Sequence, residues 1–296
     1  MALVVGFCPV ILLFPHGGGL ADVPAVAHPS GTVSFPGPQF PRMAKAPGTP
    51  NALGPVSGRA PDNASGPARA MAFQNVCPAG TRLLEGEHLD EVEHECTDQR
   101  GKNCFAFEHD RVSLGGDVTP IRVCMDMYEA PNQRGARPIV MRNALEAEAY
   151  CEERGKRLCS EAEWEFACEG PEHLPYVYGW EVQIKVCNSD KPWKPFSEQA
   201  LRQGGMVANA EVSRLWQGEG SGTRPQCVSK DGIFDLMGNV EEWVSSRATR
   251  PFRAALKGGF WAKPWSTCRG TNDAHDVKFR FYEVGFRCCM SPPAKP

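Results

Sequence analysis

Twelve of the thirteen cysteines fall between Cys77 and Cys289, and Cys8 alone precedes them. An even set of twelve permits six disulfides with no thiol left over. No other feature constrains the fold as much, because each crosslink fixes two backbone points whatever the secondary structure does. With 296 residues the chain can bury a substantial core, so small size does not force crosslinks on it. There is no CxxC pair and no Cys/His cluster at zinc spacing, which sets a structural zinc site aside. A disulfide framework in an exported protein and a set of reduced, buried cysteines in a cytosolic one both remain open; the first is the expectation. A formal charge of −3 argues against nucleic acid as a partner. No apolar run reaches the roughly 18 residues of a membrane span, so no integral membrane domain is expected.

Residues 1–27 resemble a signal peptide. Ala2–Phe14 is an apolar run of h-region length, and Ala25-Val26-Ala27 offers an A-x-A cleavage site. No Lys or Arg precedes the run, so a misplaced start or a hydrophobic tip is the alternative. Residues 28–72, dominated by Pro, Gly and Ala, cannot bury enough apolar surface to offset their ordering entropy and are expected to form a disordered linker. One domain is expected over 73–290, followed by a short tail, 291–296. Within it, Asn143 can cap a helix through ALEAEAYCEER that Gly155 ends, with Leu145, Ala149 and Cys151–Glu152 facing inward. Ser160 to Glu163 form a capping box that opens EAEWEFAC, where Trp164, Ala167 and Cys168 share a face. Ile121–Met125, Arg253–Lys257 and Val284–Cys288 read as strands. Long stretches show neither period.

Four segments occur in order: Ala149-Tyr150-Cys151 through Gly155-Lys156-Arg157-Leu158 to Glu161-Ala162-Glu163-Trp164-Glu165; Tyr178-Gly179-Trp180; Gly232-Ile233-Phe234-Asp235-Leu236-Met237-Gly238-Asn239-Val240-Glu241-Glu242-Trp243; and Lys257-Gly258-Gly259-Phe260-Trp261, closing with Gly285-Phe286-Arg287-Cys288. Together they resemble the formylglycine-generating enzyme, or sulfatase-modifying factor, family over about residues 120–290. The resemblance implies an α+β, modified C-type-lectin-like fold, disulfide-rich and with little regular secondary structure. It pairs Cys151 with Cys288 and starts a second crosslink at Cys168, whose usual partner position is Asp273; Cys268 replaces it as partner, and Cys159 with Cys289 follows.

The resemblance also implies a calcium site on Asp235, the carbonyls of Gly238 and Val240, and Glu242, with Asn188 at the start of a second. Hard cations favour such oxygens. The alternative is an Asx-type turn with Glu242 paired to an Arg. The family's oxidases bind copper(I) through two cysteines five positions apart, soft ligands suited to that ion. The second falls on Cys268, the first on Lys263, and Phe260 stands where Ser usually follows the Gly pair. An ammonium cannot replace a thiolate ligand, so the two-cysteine copper site is incomplete. A Cys268/His275 metal centre and a Cys268 disulfide are the competing readings.

Two functions follow. One is a metal-dependent oxidase acting on a thiol substrate, with Cys268 as its catalytic residue. The other is a non-catalytic, lectin-like binding or scaffold domain. In that second case Trp261, Trp265, Arg269, Asn272, His275 and Arg280 line a groove for a peptide or small molecule, or else serve ordinary packing. A monomer in a secreted, periplasmic or envelope location is expected.

Overall fold

A computed structural model describes residues 76–294. The signal-peptide-like segment 1–27, with Cys8, and the 28–72 stretch lie outside the described residues. From residue 76 the chain enters a hairpin of two long antiparallel strands, β1 (Thr81–Arg100) and β2 (Asn103–Asp126). Its base is anchored by Leu84, Ile121, Val123 and Met125, all in the largest core cluster. Toward the turn most residues are exposed or half-buried, and the ladder slips register at Leu89/Glu91 and His94/Cys96.

Helices α1 (Ala144–Glu152) and α2 (Glu161–Glu169) begin at the expected caps. The Asn143 side chain accepts from Glu146 N at 2.9 Å, and Glu146 returns to Asn143 N at 3.0 Å. Ser160 and Glu163 exchange the equivalent pair at 3.2 and 2.8 Å. Each box satisfies two donors that a helix start otherwise leaves unpaired. The inward face of α1 differs from the expected stripe: Ala144, Ala147 and Cys151 are buried and Leu145 is exposed. Spacing i, i+3, i+7 puts those three on one side, and the crosslinked Cys151 selects that side.

After α1, β3 (Arg157–Leu158) leads into α2. Then come α3 (Glu198–Gln203) and α4 (Gly205–Leu215), which the sequence reading did not contain. Five short strands follow: β4 (Glu241–Ser245), β5 (Ala254–Lys257), β6 (Thr271–Asn272), β7 (Val284–Phe286) and β8 (Cys288–Met290). One sheet has the order β1-β2-β8-β3 and the other β6-β5-β4-β7, with only β4 and β7 parallel. The expected strand 284–288 is thus divided: β7 belongs to one sheet, β8 to the other, and Arg287 lies between them.

All twelve cysteines of the described residues are paired. Three bonds join the cysteines that the resemblance pairs: Cys151–Cys288, Cys159–Cys289 and Cys168–Cys268. The others are Cys77–Cys124, Cys96–Cys104 and Cys187–Cys227. Cys96, on the hairpin, is exposed, Cys77 and Cys104 are half-buried, and the other nine paired cysteines are buried, several of them packed in the core cluster around a fully buried Trp164.

Candidate functional site

Three polar constellations stand out, and α2 helps to build two of them. Glu161, Glu165 and Glu169 recur every four residues, so they share one face of that helix; each is 1% exposed. Carboxylates this deep require paired cations. Arg250 holds Glu161 at 2.5 Å, and Arg269 holds Glu169 through two bonds of 2.6 Å. Glu165 accepts from His88 Nε2 at 2.9 Å and from buried Lys257 Nζ at 2.8 Å, and it also pairs with Arg247. Burial alone would raise the Glu165 carboxyl, but His88, Lys257 and Arg269 overcome it and hold the group down at about 2. Arg269, expected in a groove, therefore belongs to this buried network: it also donates to Leu89 O at 2.8 Å. Arg157 pairs with Glu163 at 2.5 Å, whereas the Trp164 indole donates to Glu242 at 2.9 Å. The carboxylate that meets the indole thus comes from β4, not from the acidic residues of α2.

The second constellation surrounds the turn before β4. Gly238 (φ 72°) and Asn239 (φ 57°) are left-handed. A Cβ on Gly238 would lie 2.4 Å from Asn188 O, so both conformation and space require glycine there. Asn239 N donates to that same carbonyl at 2.7 Å. Asn188 Nδ2 donates to Gln217 O and to Asn239 Oδ1, both at 3.1 Å, while its Oδ1, though buried, has no partner. Asp235 Oδ2 accepts from Gly222 N at 2.6 Å, and burial pushes its carboxyl up to about 6. Glu242 accepts from Arg287 Nη2 at 2.6 Å and from Nε at 2.7 Å, in addition to Trp164. Its place in a calcium site is therefore contested by a guanidinium, as in the ion-paired alternative. Glu129, not singled out from the sequence, completes the cluster through Asn239 Nδ2 (3.0 Å) and Ser221 Oγ (2.6 Å). Burial, then Asp235 and Glu242, raise its carboxyl well above the usual range. Among the described residues no three His, Cys, Asp or Glu side chains converge as a metal site by themselves. A calcium ion here would need the Gly238 and Val240 carbonyls as well.

The third constellation lies on the β5–β6 loop, where the family's copper cysteines would stand. Gly258 (φ 82°) starts it, packed so that a Cβ would meet Leu236 O at 2.5 Å. Lys263 Nζ donates to Glu241 Oε1 at 2.8 Å and sits 5.1 Å above the Phe260 ring. Asn272 Nδ2 approaches Glu241 Oε2 at 3.4 Å. With Trp265, Ser266 and Thr267 these residues line a cavity of about 210 Å³. Cys268, 0% exposed, is bonded to Cys168 and donates its N–H to Pro175 O at 2.8 Å. A sulfur in a disulfide offers no thiolate, and Lys263 supplies none, so these residues do not fit copper. Of the two competing readings of Cys268, metal ligand and crosslink, the structure contains the crosslink.

The groove residues separate. Trp265 (37% exposed) and Asn272 reach the cavity. Trp261 does not: it is buried against Trp216 at 5.0 Å and Tyr282 at 5.9 Å. Arg280 is turned to Glu146, 3.3 Å away. His275 stacks on Phe279 at 3.7 Å, and burial lowers its imidazole; the Cys268 sulfur is bonded to Cys168. The sequence reading missed Glu241. Strand alternation carries the signal, since neighbours on β4 face opposite ways and only one of Glu241 and Glu242 can face Arg287.

Glu283 adjoins this site. It is 9% exposed, its Oε2 has no partner, and burial pushes its carboxyl up to about 8, with Glu241 adding repulsion. A raised carboxyl favours folding fully below its unfolded pKa, and that contribution is lost as pH rises through the folded value. Wild-type stability should therefore fall between about pH 4.5 and 8. Glu283→Gln, which mimics the protonated acid, should remove part of this fall and melt higher than wild type at pH 9, with the difference shrinking at pH 5. Equal wild-type and variant pH profiles would contradict the assignment.

The chain is 32% identical over 127 residues to the bovine (Bos taurus) "Inactive C-alpha-formylglycine-generating enzyme 2", covering 42% of this chain and 38% of that protein. To the "Formylglycine-generating enzyme" of Mus musculus it is 28% identical over 116 residues, 38% of this chain and 28% of that one. To the Mycobacterium tuberculosis "Formylglycine-generating enzyme" it is 29% identical over 126 residues, covering 38% and 34%. The matches thus span less than half the length of each relative. The family model described as a sulfatase-modifying factor enzyme 1-like domain matches residues 97–292. Two small sheets, short helices and long crosslinked loops are the modified C-type-lectin-like fold implied by the motifs. On that match, the chain belongs to the sulfatase-modifying factor enzyme 1-like family.

Proposed function

We propose that this chain is an exported, non-catalytic member of its family that binds a peptide or small molecule at the cavity beside Lys263. The observation that carries the reading is the Cys168–Cys268 bond, which occupies the one sulfur left at the copper position. The Lys263–Glu241 pair supports it by placing a fixed ammonium where the other thiolate would stand. A relative named as inactive supports it too. Six disulfides favour an oxidising compartment and hence export.

The test is to incubate the unreduced protein with copper(I), oxygen and cysteine-containing peptides, then to probe for peptide aldehyde by mass and hydrazide labelling. No conversion above the protein-free control is expected. Copper-dependent aldehyde formation would overturn the reading in favour of the oxidase.

Calcium belongs to the same proposal, as a structural ion at Asp235 and the Gly238 and Val240 carbonyls. The charge balance supports it: Glu129, Asp235 and Glu242 are gathered around one buried guanidinium, Arg287. A divalent ion would offset the excess acid. Chelation should then lower the melting temperature by several degrees, and added calcium should restore it. A melting temperature unmoved by chelator, with no calcium in metal analysis, would remove the site.

A further inference from the structure

We propose that the ligand of the β5–β6 cavity is a single neutral, polyhydroxylated ring: one sugar unit, docked on the Trp265 indole. The inference rests on the binding-domain reading and specifies its ligand. Size comes first. At about 210 Å³ the cavity is smaller than the roughly 300–1,000 Å³ of drug-sized sites. It takes one ring rather than a length of folded peptide.

Charge comes second. Glu241 and Lys263 are the charged residues of the lining, and they neutralise each other across 2.8 Å. An anion would have to compete with Glu241 for the ammonium, and a cation with Lys263 for the carboxylate. A hydroxyl pays neither penalty, because it can donate to one and accept from the other.

Hydrogen-bonding capacity comes third. Among the described residues the Ser266 hydroxyl and the Trp265 indole N–H have no hydrogen-bond partner, and the Thr267 hydroxyl accepts from Gly270 N (3.0 Å). Asn272 makes only long contacts, 3.4 Å to Glu241 and 3.4 Å from Ala274 N. The lining thus offers both donors and acceptors to a ligand's hydroxyls. The half-exposed indole supplies a flat, electron-rich face for the C–H side of a sugar ring. Apolar side chains that could form a pocket for a peptide side chain are scarce: Leu256 is the aliphatic residue of the lining, and it is fully buried.

The experiment uses the full, unreduced chain and the methyl glycosides of glucose, galactose, mannose, xylose and N-acetylglucosamine. Binding is read by saturation-transfer NMR and indole fluorescence up to about 50 mM, well above the roughly millimolar Kd expected for a ligand this small. At least one glycoside should bind saturably. Trp265→Ala and Asn272→Ala should each weaken binding about tenfold or more, with unchanged melting temperature. Trp193→Ala, at an exposed indole outside the cavity, should leave it unaltered. No saturable signal from any glycoside, or binding that survives both cavity variants, overturns the sugar proposal. A cysteine-containing peptide that binds in a Trp265-dependent way while the glycosides do not also overturns it but leaves the binding-domain reading standing. That reading fails separately, through copper-dependent aldehyde formation.

Discussion

Replacing Arg287 by Met is expected to cost about 3–5 kcal/mol of folding stability, the usual penalty for removing one partner of a buried ion pair. The side chain is 1% exposed and lies at the step from β7 to β8, where the chain passes from one sheet to the other. Its guanidinium bonds both Glu242 oxygens, Phe234 O at 2.8 Å and Asp126 O at 3.3 Å. Methionine fills similar volume but leaves Glu242 with the Trp164 indole alone and strands two carbonyls. Arg287→Lys keeps a charge without the planar fork and should recover only part of the loss. Adding Glu242→Gln to Arg287→Met should recover some stability, since the buried anion is then gone. Urea melts of the four proteins check this. A loss below about 1 kcal/mol for Arg287→Met would show the pair to be no anchor of the fold.

The second large effect concerns the disulfide at the altered copper position. Cys168 and Cys268 are separated by 100 residues, and both are buried. In the chain-entropy model a loop of that length is worth about 4–5 kcal/mol, and native disulfides typically contribute about 2–5. The double variant Cys168→Ser/Cys268→Ser, which leaves no lone thiol, should melt far below wild type. The small, exposed hairpin crosslink Cys96–Cys104, separated by 8 residues, should matter less when removed in the same way. Equal losses from the two would contradict the ranking by loop length.

Legibility in the sequence follows the range of the interactions. Asn143 and Ser160 are readable as caps because their partners lie three residues away. β5, β7 and the Ile121–Met125 end of β2 are readable because short apolar runs mark them, although the expected strand 284–288 runs across the break at Arg287. The rest of the β1–β2 hairpin is not. Its residues are largely charged or polar, and Gly115-Gly116 and Pro120 interrupt β2, so no alternating apolar pattern marks the two strands. α3 and α4 are hidden by Gly204-Gly205, which reads as a loop; α3 buries nothing, although α4 buries Ala208, Val212 and Leu215. For the site, the motif series located the loop and showed that Lys263 stands in place of a cysteine. It could not show Glu241 as the partner of Lys263, or bring Lys257 to Glu165. Sequence order says which charges exist, and only packing says which face each other. Trp261 illustrates the same limit: its neighbours on the loop reach the cavity, while it turns inward to Trp216 and Tyr282.

The central claim is that Cys268 is a crosslink and not a metal ligand. The most direct measurement is peptide mapping of the unreduced full chain, alkylated under denaturing conditions after incubation with copper(I), with metal content determined in parallel. The account predicts that Cys268 is recovered only in a peptide bonded to Cys168 and that no stoichiometric copper is retained. Recovery of Cys268 as a free, alkylated thiol together with one equivalent of copper would contradict it.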